Sequence, residues 1–485
     1  MANSCPNCRE ALNVGQKVCP RCGWAPKPVR SAADDHVWEV FDSADVAPEI
    51  LPFLNVAPTP DVQAASLHYQ QGMAHLAKKE YVQAVAAFSR ALADDARFIL
   101  AYNNRGRAYT FLRQFDRALA DFDAAVALDA HVSGFHNNRG MVYLALRDLD
   151  HARADFDRAI QLDRKNAQAF HNRACVHFKQ GRTEEALADF DHSLELNPAF
   201  VEGYHLRGLV YSRRGDIDHA IADFDRAIQL EPNFVNGYNN RGLAYFAKRD
   251  FDRALGDFSK ALDLQPSNAR TWHNRGLAYL EMGRVDSAES DFSQALSLDP
   301  QLANSHHNRA FCRFARGEWE QAFADYDAEI ALQPGRALAY YNRGFLFLAR
   351  GDLDRARAEF DRALELDPSM TFAWFRRGEI ARARRDFVTA VLDYTRALEQ
   401  QADLEQAWLH RGECHLEVSS LDLAIADFSQ AIQLRPGLPL AWYMRGLAHA
   451  ARQDLAAARA DFDRALEIDP HFLAARQARS EQKTP

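Results

Sequence analysis

The chain has 485 residues, of which 26% are charged and 47% are hydrophobic, and its formal net charge is −9 at pH 7. This acidic balance argues against sequence-independent binding to nucleic-acid phosphates. No apolar run is long enough to span a bilayer, and the first ten residues lack the basic and apolar segments of a secretory signal. We therefore expect a cytoplasmic protein that does not engage a membrane.

The first predicted element is a small cysteine module in residues 1–26. Two Cys-x2-Cys pairs, ten residues apart, supply four possible metal ligands: Cys5, Cys8, Cys19 and Cys22. Four thiolates at this spacing can surround one tetrahedral ion. The pattern resembles a minimal zinc ribbon and predicts one structural Zn²⁺, with metal binding and folding as a single event. The alternative is a set of free or redox-active thiols, but no thioredoxin-like pattern accompanies the pairs.

Residues 27–64 form an acidic, proline-containing stretch that differs from everything after it. This stretch still carries several large apolar side chains: Trp38, Val40, Phe41, Ile50, Leu51, Phe53 and Leu54. We consider two interpretations. The segment either covers the apolar end of the array that follows, or it occupies the binding groove of that array as a built-in competitor.

Residues 65–472 repeat with a period of 34. Glycine or alanine stands at the eighth position of all twelve units, alanine at the twentieth, and Phe or Tyr at the twenty-fourth. Apolar spacings of three and four within each half unit predict two amphipathic helices, with glycine in the turn between them and proline near the end of most units. Because the repeats leave no room for a separate catalytic domain and no cofactor or nucleophile motif stands outside them, we predict that the protein is not an enzyme.

The repeat resembles the tetratricopeptide repeat. The resemblance rests on an aromatic residue at the fourth position, a small residue at the eighth, alanine at the twentieth, an aromatic residue at the twenty-fourth and proline at the thirty-second. The resemblance implies an all-α fold, a right-handed superhelical solenoid of twelve helix-turn-helix repeats whose first helices line a concave groove. Residues 473–485 are then interpreted as a capping helix and tail.

A regular pair of charges runs through the array. Eleven repeats carry arginine at the seventh position and Asp or Glu at the twenty-third, whereas the first repeat has Gln71 and Ala87. Because both members are missing from the same unit, we predict that each arginine pairs with the acid of its own repeat. Such forks orient two helices, and this structural role is preferred over a basic ligand-binding stripe.

The predicted binding surface is one face of the first helix of each repeat, formed by positions 2, 5, 6, 9, 12 and 13. Asparagine stands at the sixth position in seven repeats: Asn104, Asn138, Asn172, Asn240, Asn274, Asn308 and Asn342. An amide offers a donor and an acceptor that match an extended peptide backbone, and similar ladders hold peptides in the family that this chain resembles. The alternative is that these amides bond to neighbouring helices.

The fifth position changes character along the array. It carries histidine at His171, His205, His273 and His307, which lie in different repeats without a nearby ligand set, so no metal site is expected there. A mild dependence of binding on pH near neutrality is expected instead. From the ninth repeat onward the fifth position becomes apolar or aromatic, and Tyr341 and Phe375 are predicted to belong to the peptide-binding surface. In the same apolar half, Phe345, Leu348 and Phe372 are predicted to receive side chains of a peptide.

The sequence therefore predicts a non-enzymatic scaffold that binds an extended segment of a protein partner along the groove. The family's clamp for chaperone tails is not expected, because it needs lysine at the fifth position with asparagine at the ninth, and no repeat supplies either. The alternative function is a nucleic-acid-associated adaptor whose cysteine module contacts DNA or RNA. The region of that module has too few basic residues for strong phosphate binding, although they are compatible with weak contact: Arg9, Lys17, Arg21, Lys27 and Arg30.

Overall fold

The computed structural model of the chain describes residues 3–4, 11–12 and 60–481. Within these residues it contains 25 helices and one pair of short antiparallel strands, β1 (Asn3–Ser4) and β2 (Ala11–Leu12), in which Asn3 lies opposite Leu12. The four predicted zinc ligands and the segment 27–59 lie outside the described residues.

The helices of the described residues divide into two compact units, one within residues 60–267 and the other within residues 268–481. The described helices of the first unit are α1 (Pro60–Ala77), α2 (Tyr81–Asp94), α3 (Ile99–Phe111), α4 (Phe115–Leu128), α5 (Ser133–Ala145), α6 (Leu149–Leu162), α7 (Ala167–Lys179), α8 (Thr183–Leu196), α9 (Val201–Arg214), α10 (Ile217–Leu230), α11 (Val235–Ala247) and α12 (Phe251–Leu264). Helix α1 begins at Pro60 rather than at residue 65, which suits proline because the first turn of a helix needs no backbone donor.

The second unit continues with the same alternation. Its helices are α13 (Ala269–Glu281), α14 (Val285–Leu298), α15 (Ala303–Ala315), α16 (Trp319–Leu332), α17 (Ala337–Ala349), α18 (Leu353–Leu366), α19 (Thr371–Ala383), α20 (Phe387–Gln400), α21 (Glu405–Glu417), α22 (Leu421–Leu434), α23 (Pro439–Ala451), α24 (Leu455–Ile468) and α25 (Leu473–Glu481). The helices of each unit form an α-solenoid of helix-turn-helix pairs.

The core of each pair is the contact between the small eighth residue and the aromatic twenty-fourth residue. A Cβ atom added to Gly446 would lie 2.6 Å from a ring carbon of Phe462, so the two backbones approach more closely than an ordinary side chain allows. The alanine at the twentieth position is fully buried beside this contact, as at Ala458. The sequence pattern thus dictates the packing of the two helices within a pair.

The turns between the two helices of a pair share one backbone geometry. Five of them contain glycine with φ between 72° and 86°, at Gly181, Gly215, Gly283, Gly317 and Gly351, which confirms the predicted glycine turns. In the other pairs a residue with a side chain adopts the same left-handed conformation, for example Arg113 and Arg147. These residues accept a conformation that glycine adopts at lower cost.

The first helices of successive pairs form the inner layer of each unit. Contacts recur between α1 and α3, α3 and α5, and α5 and α7 in the first unit, and between α19 and α21 in the second. Within the described residues, successive second helices do not contact one another to the same extent. A stack whose first helices are closer together than its second helices curves toward the first helices, which therefore face a concave side within each unit.

The described chain ends in a helix that continues the repeat pattern. Helix α25 buries Ala475 and Ala478 against the preceding pair, where Ala478 joins the cluster around Phe462. Its Arg479 forms an ion pair with Asp463. This pair has the same sequence separation of 16 as the arginine contacts between pairs described below, so α25 occupies the place of a further first helix.

Candidate functional site

The predicted arginine forks form within each repeat. Arg207, for example, donates from Nε and Nη2 to the two carboxylate oxygens of Asp223, at 2.8 and 2.6 Å. Equivalent two-bond forks join Arg105, Arg139, Arg173, Arg241, Arg275, Arg309, Arg377, Arg411 and Arg445 to the acid sixteen residues later. The carboxylates are buried or nearly so, and the prediction that each arginine serves its own repeat is confirmed.

The same arginines also join neighbouring repeats, which sequence reasoning missed. The Nη1 atom of Arg207 donates to Asp191 of the preceding repeat at 2.6 Å, and Arg411 donates in the same way to Thr395 at 2.9 Å. The acceptor always stands at the twenty-fifth position, which is Asp, Ser or Thr in every repeat. That regularity is the sequence signal that could have revealed the contact.

One fork is incomplete, because glutamate replaces aspartate. Arg343 donates from Nη2 to Glu359 Oε1 at 2.7 Å, whereas Arg343 Nε and Glu359 Oε2 are buried without a hydrogen-bond partner in the described part of the chain. The longer side chain brings only one of its oxygens into line with the guanidinium. A buried polar atom without a partner lowers stability.

We expect that Glu359→Asp raises the free energy of unfolding by about 1 kcal/mol, because the shorter acid restores the second bond of the fork. Urea denaturation of the wild-type chain and the variant measures the change. The reverse substitution Asp393→Glu, in a complete fork with Arg377, is the matched control and should destabilise. Equal effects of the same sign in both variants would contradict this account.

Five asparagines of the ladder each link a first helix to the first helix before it. The side-chain amides donate from Nδ2 to fifth-position residues of the preceding repeat: Asn104 to Tyr69 Oη at 2.8 Å, Asn138 to Asn103 Oδ1 at 2.9 Å, Asn172 to Asn137 Oδ1 at 2.9 Å, Asn240 to His205 Nε2 at 2.7 Å, and Asn342 to His307 Nε2 at 3.4 Å. These bonds match the interpretation in which the amides contact neighbouring helices. Asn138, Asn240 and Asn342 stay half-buried, whereas Asn104, Asn172, Asn274 and Asn308 are buried.

The fifth-position histidines are buried beneath the groove surface rather than exposed on it. His171 packs between Phe190 and Phe200, with ring centroids at 5.3 and 4.5 Å, and His205 is fully buried. Burial lowers the pKa of His171 to about 3 and that of His205 and His273 to about 4. The expected pH dependence near neutrality is therefore wrong for these three residues, because burial disfavours their charged form.

His307 has a different environment, which contains a buried acid. Glu329 replaces the usual small residue at the twenty-seventh position and is fully buried. It accepts hydrogen bonds from His307 Nδ1 at 3.0 Å and forms an ion pair with Arg336 Nη1 at 3.0 Å. The extra volume of this side chain is thus accommodated by a charged cluster within one repeat.

The apolar part of the predicted site lies on the first-helix face of the second unit. Phe314 and Phe345 meet edge to face, with ring centroids 5.9 Å apart, and Leu348 and Phe372 are also half-buried. Arg376 holds its guanidinium 5.5 Å from the centre of the Phe345 ring. Tyr341 and Phe375, by contrast, are buried in the core of this unit. Of the predicted apolar residues, Phe345, Leu348 and Phe372 are therefore the half-buried ones.

The described residues lack two other kinds of feature, a metal-binding cluster and a membrane-spanning helix. Residues 60–481 contain no group of three or more His, Cys, Asp or Glu side chains that could hold a metal ion. None of the helices in this part of the chain is both long and apolar enough to cross a membrane.

Stacked helix pairs, with small-to-aromatic contacts inside each pair and polar contacts between pairs, define a helical-repeat solenoid. Profiles of the tetratricopeptide repeat match residues 103–167, 167–200, 210–248, 241–313, 337–370, 375–439 and 439–472. These matches together span more than half of the chain. The chain belongs to the tetratricopeptide-repeat family.

Several solved structures are similar to this chain. The APC/C hetero-tetramer Cut9–Hcn1 matches with 15% identity and a TM-score of 0.43, covering 87% of this chain and 96% of that one. YrrB, a repeat protein described as having an unusual peptide-binding site, matches with 25% identity and a TM-score of 0.33, covering 39% and 96%. Yeast Tom70 matches with 16% identity and a TM-score of 0.36, covering 80% and 95%. A search among curated proteins gave no match.

Proposed function

We propose that this protein is a non-enzymatic scaffold that binds an extended segment of a partner protein along the concave faces of its first helices. The half-buried aromatic patch of the second unit, formed by Phe314, Phe345, Leu348 and Phe372, carries the proposal. Large apolar side chains on a concave face are characteristic of surfaces that take side-chain anchors from a partner. Tetratricopeptide repeats as a class serve protein interaction, which fits this surface.

The polar surroundings of the patch favour a peptide with an apolar anchor. Arg376 donates to Glu379 at 2.6 Å, and Arg382 donates to Glu413 at 2.9 Å. The charges beside the patch therefore already neutralise one another, and a partner gains most from apolar burial. In the first unit we propose that the half-buried amides Asn138 and Asn240 contact the peptide backbone in addition to their bonds within the array.

We expect that Phe345→Ala together with Leu348→Ala weakens partner binding by about tenfold to a hundredfold, as for central apolar anchors. The partner is first captured from native lysate with the full chain and identified, and its affinity for each variant is then measured by calorimetry. Val388→Ala with Leu392→Ala is the matched control, because these two aliphatic side chains are exposed on second helix α20.

Unchanged affinity in the Phe345 variant, with loss of affinity in the control, would place the binding surface on the second helices instead. A variant with alanine at Asn138 and Asn240 tests the amide contacts. The melting temperature of this variant measures how much stability is lost with the bonds inside the array. Contact with the peptide is supported only if the variant loses more affinity than other variants with the same loss of stability.

We also propose that Cys5, Cys8, Cys19 and Cys22 hold one structural Zn²⁺. The two cysteine pairs have the spacing of a closed tetrahedral site, in which all four positions are filled by thiolates. Elemental analysis of the purified chain should find one zinc per molecule, and Cys5→Ser with Cys8→Ser should abolish it. Zinc retained by the variant would show that the metal lies elsewhere.

A further inference from the structure

Two positions of the repeat carry a charge in one unit only. The twenty-seventh position is alanine in ten units and serine in one, whereas the eighth unit has Glu329. The thirty-fourth position is apolar or asparagine in eleven units, whereas the eighth unit has Arg336. Glu329 is fully buried, and a buried carboxylate lowers stability unless it is paired and hydrogen-bonded. Packing of the core, which alanine serves in the other units, does not account for this pair of charges.

The two charges begin a chain of polar contacts that reaches the concave face. Arg336 Nη1 lies 3.0 Å from Glu329 Oε1 and donates to Asn304 Oδ1 at 2.8 Å. His307 Nδ1 lies 3.0 Å from Glu329 Oε2. Asn342 Nδ2 in turn lies 3.4 Å from His307 Nε2. We name the contacts from Arg336 through Glu329 and His307 to Asn342 the relay.

The acid of the relay determines which ring nitrogen of His307 carries the proton. A carboxylate that pairs with an arginine only accepts hydrogen bonds, so His307 donates to it from Nδ1. In the neutral ring Nε2 is then an acceptor, and Asn342 can meet it only through its Nδ2 donor. The other end of the amide, Asn342 Oδ1, is left for the groove. Within residues 60–481 this oxygen has no hydrogen-bond partner, and it is not buried.

His205 lacks such an acid and provides a comparison. Asn240 Nδ2 lies 2.7 Å from its Nε2, but its Nδ1 is buried without a partner in the described part of the chain. The twenty-seventh position of that unit is Ala227, so nothing there holds a proton on Nδ1. The ring and the amide of this pair can exchange the roles of donor and acceptor. The orientation of the amide is therefore specified at Asn342 and not at Asn240.

Asn342 lies beside the aromatic patch. It precedes Phe345 by three residues on α17, so the two side chains share one face of the helix. Asn342 is half-buried, as are the residues of the patch. A bound segment that covers this oxygen without offering a donor leaves it desolvated and unpaired, which lowers affinity.

We propose that Glu329 is a positioning residue that holds His307 with its proton on Nδ1, so that Asn342 presents its oxygen to the groove. The surface beside Phe345 then selects segments that offer a hydrogen-bond donor, such as a backbone N–H, next to an apolar anchor. This donor preference rests on the proposed function, because it needs a segment bound to the aromatic patch. The relay itself concerns only the described array and is tested without a partner.

Nitrogen NMR of the full chain labelled with ¹⁵N-histidine tests the relay. The variant His307→Asn identifies the signals of this ring, and asparagine is the residue that Asn103 and Asn137 provide at the same position of other units. At neutral pH we expect a protonated Nδ1 and an unprotonated Nε2 in His307. A protonated Nε2, in a neutral or a charged ring, would overturn the proposal, because it cannot accept from Asn342.

The double variant Glu329→Ala with Arg336→Leu removes the acid and introduces residues that other units carry at these positions. We expect its His307 signals to shift toward the form with the proton on Nε2. The variant must still unfold cooperatively for the comparison to count, and single replacement by Glu329→Gln provides a nearly isosteric second version. Unchanged His307 signals in both folded variants would show that Glu329 does not position the ring.

Peptides selected from a random display library on the full chain test the donor preference. Those that lose binding to the variant Phe345→Ala with Leu348→Ala are kept, and each backbone nitrogen beside their apolar anchor is methylated in turn. We expect one methylation to weaken binding to the unaltered chain about tenfold, which is close to the value of one buried hydrogen bond. The same methylation should weaken binding to the Glu329→Ala, Arg336→Leu variant less than about twofold.

Ser193→Ala is the matched control for this experiment. Ser193 is the other fully buried departure from alanine at the twenty-seventh position, and it donates to Ala167 O at 2.8 Å within its own repeat. The effect of methylation in this variant should equal that in the unaltered chain. Equal effects with and without Glu329 would overturn the donor preference. A selection that yields no patch-dependent peptide would instead reject the proposed function, and the NMR result would still decide the relay.

Discussion

Replacing Asp325 by alanine is expected to lower the free energy of unfolding by about 3–5 kcal/mol, because it leaves buried cations without their acid. Asp325 accepts from Arg309 Nε and Nη2 at 2.9 and 2.6 Å, from Arg313 Nη1 at 2.9 Å, and from His306 Nδ1 at 3.2 Å. Although burial raises its pKa, these donors together hold that pKa below the ordinary range. The carboxylate therefore stays ionised and joins two arginines and a histidine.

Asp327 offers a matched control two residues away. It is largely exposed and forms a single ion pair with Arg343 at 2.6 Å. Asp327→Ala should cost less than about 1 kcal/mol, because solvent screens an exposed pair. Urea denaturation followed by circular dichroism measures both variants. Comparable losses in the two would mean that the fork contributes no more than a surface ion pair, and the structural role assigned to the buried arginine forks would be rejected.

The second large effect is a loss of stability in mild acid. The unfolded histidine has a pKa near 6.5, whereas in the folded chain burial lowers the pKa to about 3 for His171 and to about 4 for His205 and His273. Below pH 6.5 the unfolded chain takes up protons that the folded chain does not, so stability falls as the pH decreases. Between pH 6.5 and 5 each buried histidine should cost about 2 kcal/mol.

Asparagine is the replacement that tests this effect, because the array already uses it at the same position. Asn138 donates to Asn103 at 2.9 Å, and an asparagine in place of His205 offers Asn240 the same kind of acceptor. The triple variant His171→Asn, His205→Asn and His273→Asn should lose most of the dependence of unfolding free energy on pH between 6.5 and 5. A pH dependence equal to that of the wild-type chain would assign the acid sensitivity to other groups.

The interactions within a repeat could be predicted well, since they are encoded at fixed short separations. The period and the apolar spacing predicted the helix pairs, and the joint absence of Arg and acid at Gln71 and Ala87 predicted the forks. The binding surface was predicted less well. The histidines had been expected on the open groove, but Phe190 and Phe200 enclose His171, and the periodicity of one helix does not show how deeply its neighbours cover it.

The sequence by itself determined the period, the helix pairs, their glycine turns and the pairing of each arginine with its own acid. Each of these depends on residues within one 34-residue repeat. Tertiary structure decided which groups meet between repeats. The bonds from Asn172 to Asn137 and from Arg207 to Asp191 depend on the register in which one pair packs on the next. That register follows from the packing of whole helices and not from any single local pattern, so it appeared only when the pairs were stacked.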